Sequence, residues 1–199
     1  MEFIADFHIH SKYSRATSRD MDVQHIADWA KLKGITLMGT GDFTHHLWLE
    51  ELKYKLQDAG NGLFKYQDIY FILTVEISSI YSKNGRGYRI HNLIFSPSFK
   101  TTDKINATLS RYGNLASDGR PIMGLDAEEL ARIIFDIDEN CMVVPGHIWT
   151  PWFSLFGSMS GFDRIQDCFE AQTPKIFALE TGLSCYDEKT EVLTENGWK

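Results

Sequence analysis

Glu2-Phe3-Ile4-Ala5-Asp6-Phe7-His8-Ile9-His10 alternates apolar and polar side chains, the period of a half-buried strand, and closes on two histidines one residue apart. Because side-chain direction alternates along a strand, His8 and His10 leave the same side of the backbone. Downstream, Asp22 to Lys33 carries Val23, Ile26, Ala27 and Ala30 on one helical face, with Gly34 placed to stop it. Ile35 to Met38 reads as a short buried strand, Gly39 to Asp42 as a tight loop, and Leu47 to Leu56 as a second amphipathic helix. Tyr70 to Ile77 and Arg89 to Phe95 are further strands, joined by a loop over Ser82 to Gly87. Asp126 caps a helix over Ala127 to Ile137, with Glu129 three residues on as in a capping box. Cys141 to Pro145 and Ile176 to Leu179 complete the strands. Strands separated by helices predict an α/β protein with a mostly parallel sheet.

The chain has 199 residues, 43% hydrophobic and 13% aromatic, enough for one domain with a sizeable core. This excludes disordered and fibrous classes. No run of about 18 apolar residues is present, and acids stand at the N-terminus where a signal peptide needs a basic stretch. A cytoplasmic protein with no membrane partner is expected. The net charge of −7 argues against a protein that holds nucleic acid through a general basic surface. It leaves room for a DNA-processing enzyme, since bound divalent cations invert the local sign. Cys141, Cys168 and Cys185 form no CxxC pair, which argues against a disulfide framework or a zinc ribbon.

The polar residues that stand out lie just after strand C-terminal ends: His8 and His10, Asp42 and His45, Glu76, and His147. His91 sits on a strand. Imidazole nitrogens and carboxylate oxygens bind zinc, manganese or iron where three or four converge. One His-x-His pair is weak evidence; the accumulation of Glu76, His91 and His147 makes the set a candidate metal centre, with Glu76 and His147 the candidate catalytic residues. His25, inside the first helix, and His46, adjacent to His45, read as ordinary surface or packed histidines.

Asp6-Phe7-His8-Ile9-His10-Ser11 with Tyr13-Ser14, Gly39-Thr40-Gly41-Asp42-Phe43-Thr44-His45, Glu76 and Pro145-Gly146-His147 resemble, in order, four motifs of the PHP (polymerase and histidinol phosphatase) superfamily of metal-dependent phosphoesterases. Within it, His10 to Ser18, Gly146-His147-Ile148-Trp149-Thr150-Pro151-Trp152-Phe153-Ser154-Leu155-Phe156-Gly157-Ser158 and Leu179 to Ser184 resemble endonuclease Q. That family nicks DNA 5′ to hypoxanthine, uracil, xanthine and abasic sites. The resemblance implies a distorted (β/α)7 TIM-like barrel, incomplete at its C-terminal end, with the centre at the C-terminal ends of its strands. It implies that His8, His10, Asp42, His45, Glu76, His91 and His147 are metal ligands, with Glu76 bridging. Phe43 stands where many PHP members have His, and Arg15 where others have an acid, so two or three divalent ions (Zn, Mn or Fe) are implied.

Phosphodiester hydrolysis needs a hydroxide in line with the leaving oxygen and neutralised phosphoryl charge, which two cations about 3.5–4 Å apart supply. Acting beside a damaged base requires a pocket for it, and Trp149, Trp152, Phe153 and Phe156 are candidates for its wall. Arg15, Arg86, Arg89 and Lys83 are candidates for phosphate contact. The expected partner is DNA containing deaminated bases. Two other readings fit the same residues: a phosphatase for a small monoester such as histidinol phosphate, and a metal-binding scaffold without catalysis.

From Cys185 onward, Cys185-Tyr186-Asp187-Glu188-Lys189-Thr190-Glu191-Val192-Leu193-Thr194-Glu195-Asn196-Gly197 resembles the first splicing block of an intein. The resemblance implies a thiolate nucleophile at Cys185 that attacks the preceding carbonyl. A plain hairpin turning at Asn196-Gly197 is the alternative. On the intein reading, residues 1–184 are a truncated PHP catalytic domain and residues 185–199 begin the intein. Such a fragment is expected to bind metal weakly and cleave poorly.

Overall fold

The computed structural model describes residues 3–15 and 17–181. The block from Cys185 onward, with its splicing nucleophile, lies outside the described residues. In chain order the elements are β1 (Ala5–Asp6), α1 (Val23–Lys33), β2 (Leu37–Gly39), α2 (His46–Lys55), β3 (Gln57–Gly60), β4 (Leu63–Tyr66), β5 (Ile69–Lys83), β6 (Arg86–Ser96), α3 (Phe99–Leu109), β7 (Ile122–Met123), α4 (Ala127–Ile137), β8 (Met142–Pro145), α5 (Ile165–Phe169) and a 3-10 turn over Glu170–Lys175. No described helix is long and apolar enough to cross a membrane.

The helix ends follow local chemistry. The Asp22 side chain accepts from the His25 N–H, and Gly34, at φ 72°, donates back to Ala30 and Lys31. Asp126 accepts from the Glu129 N–H at 2.7 Å. The helix α3 was not expected from the sequence; Ser98 caps it by accepting from the Thr101 N–H.

The sheet corrects the expectation of mostly parallel strands. β1, β2 and β5 pair in parallel, as do β5 and β7, but β3, β4 and β5 pair antiparallel, and so do β5, β6 and β8. Asn84 and Gly85, both at positive φ, turn the chain so tightly that Lys83 faces Arg86, and the expected loop over Ser82 to Gly87 is mostly strand. Two left-handed residues match the right-handed strand twist and return the chain antiparallel. Asn61-Gly62 makes the second such turn, between β3 and β4. The strand expected at Ile176 to Leu179 is not formed; the chain there runs beside β8, with the Glu180 N–H donating to Pro145 and the Ile148 N–H to Glu180. The strand path among the described residues is open.

The two faces of the sheet carry different cores. Phe71, Leu73, Val75 and Ile77 of β5, with Ile90, Ile94 and Val143, pack against the helices. The opposite face holds a smaller cluster, Leu93, Phe95 and Val144 with Phe7, Ile72, Met142 and Ala178. Period-two alternation puts Glu76 on this second face, directly across from Leu93.

Trp48 links the core to the loop after β2. It is fully buried, and its indole N–H donates to the carbonyls of Thr40 and Gly41. Gly41, at φ 61°, lets that loop approach Ile9 so closely that a Cβ would sit 2.3 Å from its carbonyl oxygen. Trp48→Ala is expected to cost about 3–5 kcal/mol in denaturant unfolding. Trp48→Phe keeps most of the volume and is expected to cost about 1–3 kcal/mol, the penalty of carbonyls left unpaired.

Candidate metal centre

The site grows from the sheet face that carries Glu76, which is 1% exposed. His8 and His10, just past β1, both turn their Nε2 atoms to it, 3.3 Å from Oε1 and 3.2 Å from Oε2. From β6, His91 brings Nδ1 to within 2.6 Å of Oε1. From the turn after β8, His147 brings Nε2 to 3.2 Å of the same oxygen. His91 Nδ1 and His147 Nε2 are 3.1 Å apart.

One carboxylate oxygen thus faces three imidazole nitrogens, two of which also face each other. Ordinary hydrogen bonding does not ask for that convergence, whereas shared cation ligation does. Two donor triads result, His8–His10–Glu76 and Glu76–His91–His147, with the ligand atoms of each within 4.8 Å of one another and Glu76 common to both. The donor set fits divalent cations.

The ring nitrogens turned away from Glu76 are held as well. His8 Nδ1 lies 2.8 and 2.9 Å from the Glu180 oxygens, and His10 Nδ1 lies 3.0 Å from Asp42 Oδ1. A carboxylate on the far ring nitrogen fixes the tautomer that leaves the near one free for a cation. Glu180 also accepts the His147 N–H at 2.7 Å. That bond helps to hold His147 at φ 29°, a strained conformation for a residue with a Cβ.

Burial opposes charging the His8 ring, but its bonds to Glu180 and Glu76 prevail and raise its pKa to about 10. The His10 ring is half-buried; desolvation opposes its charge, but Asp42 and Glu76 raise its pKa to about 9. Burial keeps His91 below its ordinary value. Burial alone would push the Glu76 carboxyl up; the surrounding imidazoles instead hold it far below the usual carboxylate range.

Of the residues singled out in the sequence, His8, His10, Glu76, His91 and His147 come together. Asp42 and His45 stand outside the two triads. Asp42 is fully buried, and its oxygens accept from the Ser11 N–H and hydroxyl, the Ser14 hydroxyl and His10. It therefore reaches the centre through the His10 ring. His45 precedes α2 and stacks between Tyr13 and His46, with ring centroids 4.3 and 5.1 Å away. Arg15 pairs with Asp118 and is mostly exposed. Phe153 lies on the His91 ring at 4.8 Å. Trp152 is exposed, with the Arg89 guanidinium 4.9 Å over its ring. Trp149 packs against Phe156 instead of opening to the centre. Arg86 lies over Tyr88, and Lys83 pairs with Glu170. His25 is the expected surface histidine, paired with Asp22.

Sequence reasoning missed Glu180 and Arg120. Glu180 follows the apolar run Ile176 to Leu179, much as His147 follows β8, and that was its signal, whereas Glu76 and His91 lie within β5 and β6 and not at their ends. Arg120 lies in an irregular loop with no pattern to mark it; its NH1 is 3.3 Å from Glu76 Oε2. Asp42→Asn is expected to lower cation affinity by about 10–100-fold, the usual effect of losing such an outer partner. Titration of the metal-free protein with Mn or Zn would measure it, and an unchanged affinity would contradict this role.

An α/β sheet that gathers four histidines, from the ends of β1 and β8 and the middle of β6, around one buried glutamate of β5 defines a chain with a donor set for divalent cations. Among solved structures, this chain is similar to endonuclease Q. It superposes on the lesion-specific endonuclease PfuEndoQ of Pyrococcus furiosus with a TM-score of 0.82 and 32% identity, over 96% of this chain and 45% of that one. It superposes on endonuclease Q in complex with a 27-mer duplex carrying an abasic lesion at the active site with a TM-score of 0.79 and 34% identity, over 92% of this chain and 43% of that one. In sequence it is 36% identical over 163 residues to the uncharacterized protein MJ0043 of Methanocaldococcus jannaschii, covering 81% of this chain and 18% of that protein. No protein-family model matches. The chain thus spans less than half the length of the two endonuclease structures and under a fifth of MJ0043. The closeness to endonuclease Q expected from the sequence holds at the level of fold and sequence.

Proposed function

We propose that this chain is the catalytic region of a metal-dependent DNA repair endonuclease of the endonuclease Q kind, cutting a phosphodiester bond 5′ to a deaminated base or an abasic site. The observation that carries this reading is the pair of triads sharing Glu76, in a chain whose fold and sequence are similar to a lesion-specific endonuclease. On this reading the sheet belongs to a PHP-type (β/α)7 barrel. Its two apolar faces, and the contact between His8 after β1 and Glu180 beyond β8, support a sheet curved toward closure.

His8 and His10 would hold one divalent ion and His91 and His147 another, with Glu76 between them; Zn, Mn and Fe all suit these donors. Bound cations supply a hydroxide at neutral pH and neutralise phosphoryl charge. The chain's own residues do the rest. Glu180 and Asp42 keep the His8 and His10 rings aimed at Glu76. The Arg89–Trp152–Phe153 stack, which continues onto His91, gives a displaced nucleotide an aromatic and cationic surface beside the centre. We further propose that Cys185 is the nucleophile of an intein, so that the working enzyme forms after splicing.

The test is cation content after native purification, alongside nicking of a duplex with one deoxyinosine, deoxyuridine or abasic site, for this chain and for the complete spliced protein. Two cations with lesion-dependent nicking in the complete protein is the expected result, and this chain alone should cut poorly. Turnover of a small phosphate monoester with no action on DNA would overturn the reading.

A further inference from the structure

We propose that Arg120 is a phosphate-binding residue of this centre, taking the non-bridging oxygens of the phosphodiester that is cut. The inference rests on the hydrolytic reading above and adds a residue to it.

Glu76 has two oxygens. Oε1 is surrounded by His8, His91 and His147, whereas Oε2 faces His10 and Arg120. The guanidinium meets that carboxylate through one nitrogen only, at 3.3 Å, and the side chain is 39% exposed. A guanidinium has five N–H donors in a planar fork, and its strong partners are bidentate anions. One long contact, on a side chain that is partly open to solvent, leaves most of that capacity without a side-chain partner among the described residues. Once cations share the charge of Glu76, the hold of the carboxylate on Arg120 weakens. An arriving phosphodiester then offers the fork a better partner, with two anionic oxygens.

The loop is built to hold Arg120 there. The Arg120 N–H donates to Asp118 Oδ1 at 3.1 Å, and Asp118 in turn pairs with Arg15. The Pro121 carbonyl accepts from the Ser78 N–H at 3.0 Å, two residues along β5 from Glu76. The Gly119 N–H donates to the Tyr13 carbonyl at 3.1 Å. A Cβ at Gly119 would sit 2.3 Å from Asp42 Oδ2, so only glycine lets the loop lie against that buried carboxylate. Backbone bonds to β5 and to the segment after His10, with close packing on Asp42, thus fix the loop that carries Arg120, a degree of fixing that a merely solvated arginine does not need.

The experiment compares wild type, Arg120→Ala and Arg120→Lys in the complete, cation-loaded protein. Cation content, affinity for inorganic phosphate and the nicking rate on a duplex with one lesion are read for each. All three proteins are expected to keep their cations. Arg120→Ala should weaken phosphate binding and slow nicking by about a hundredfold, the scale of removing one aimed donor. Arg120→Lys should lose less, because it keeps the charge and loses the fork. Added guanidinium should restore part of the Arg120→Ala rate. Loss of cations from Arg120→Ala, with activity returned by excess cation and not by guanidinium, would make Arg120 a support for Glu76 and overturn the proposal. Unchanged phosphate affinity in Arg120→Ala would overturn it too. Phosphate binding that depends on Arg120 in a wild type that nicks no lesion would sustain it while the endonuclease reading fails.

Discussion

Glu76→Gln in the complete protein is expected to abolish nicking, by at least about 10²–10³-fold, the effect of removing one fixed charge from a buried centre. Cation content should fall with it, because both triads use this side chain. Glutamine has nearly the same shape, so packing is a poor explanation for the loss. Instead the substitution places an NH2 group, which cannot ligate, among four imidazoles. The folded state should survive, since Leu93, Phe95 and Val144 still pack beside it. A variant that retains its cation content and full rate would show that Glu76 holds no cation.

Stripping the cations with a chelator is the second large effect. Activity should vanish and return with added Mn or Zn, and the stripped protein should acquire a pH-dependent melting temperature. His8 and His10 have folded pKa values of about 10 and about 9 against 6.5. Their contribution to stability is full below pH 6.5 and is lost as pH rises through 9 to 10. His91 is shifted down from 6.5, so its contribution is lost as pH falls below that value. Glu76, shifted down from 4.5, acts in the same acid direction. The stripped protein is therefore expected to melt highest near pH 6.5 and to weaken on both flanks. Cation should lift the alkaline flank, because it replaces the protons that hold the rings to Glu76. A thermal melt series with and without chelator reads this directly; a flat alkaline flank in the stripped protein would contradict it.

Five of the seven candidate ligands read from the sequence meet, because strand periodicity and residue chemistry are local signals. His8-Ile9-His10 could be read without knowing what lies opposite. The role of Asp42 could not, because its oxygens are claimed by Ser11, Ser14 and His10 only after the loop from β2 folds onto the segment after β1. His45 is drawn to Tyr13 by stacking, which no spacing announces. The antiparallel part of the sheet was legible in principle. Asn61-Gly62 and Asn84-Gly85 are strong short-range hairpin signals, and they outweigh the strand–helix alternation from which a mostly parallel sheet was expected. Glu180 was marked only by its place after the apolar run Ile176 to Leu179, and Arg120, in an irregular loop far from Glu76 in sequence, was marked by neither composition nor period.

The contact between His8 and Glu180 spans 172 residues of chain. Synthesis delivers the first histidine early and the carboxylate that orients it 172 residues later, so the His8 ring is held only once that segment has emerged. Closing so long a loop is entropically slow to reward, and contacts of this separation form late in folding. A nascent chain that has not yet reached Glu180 would hold His8, His10, Glu76, His91 and His147 without the carboxylate that aims His8 and braces His147.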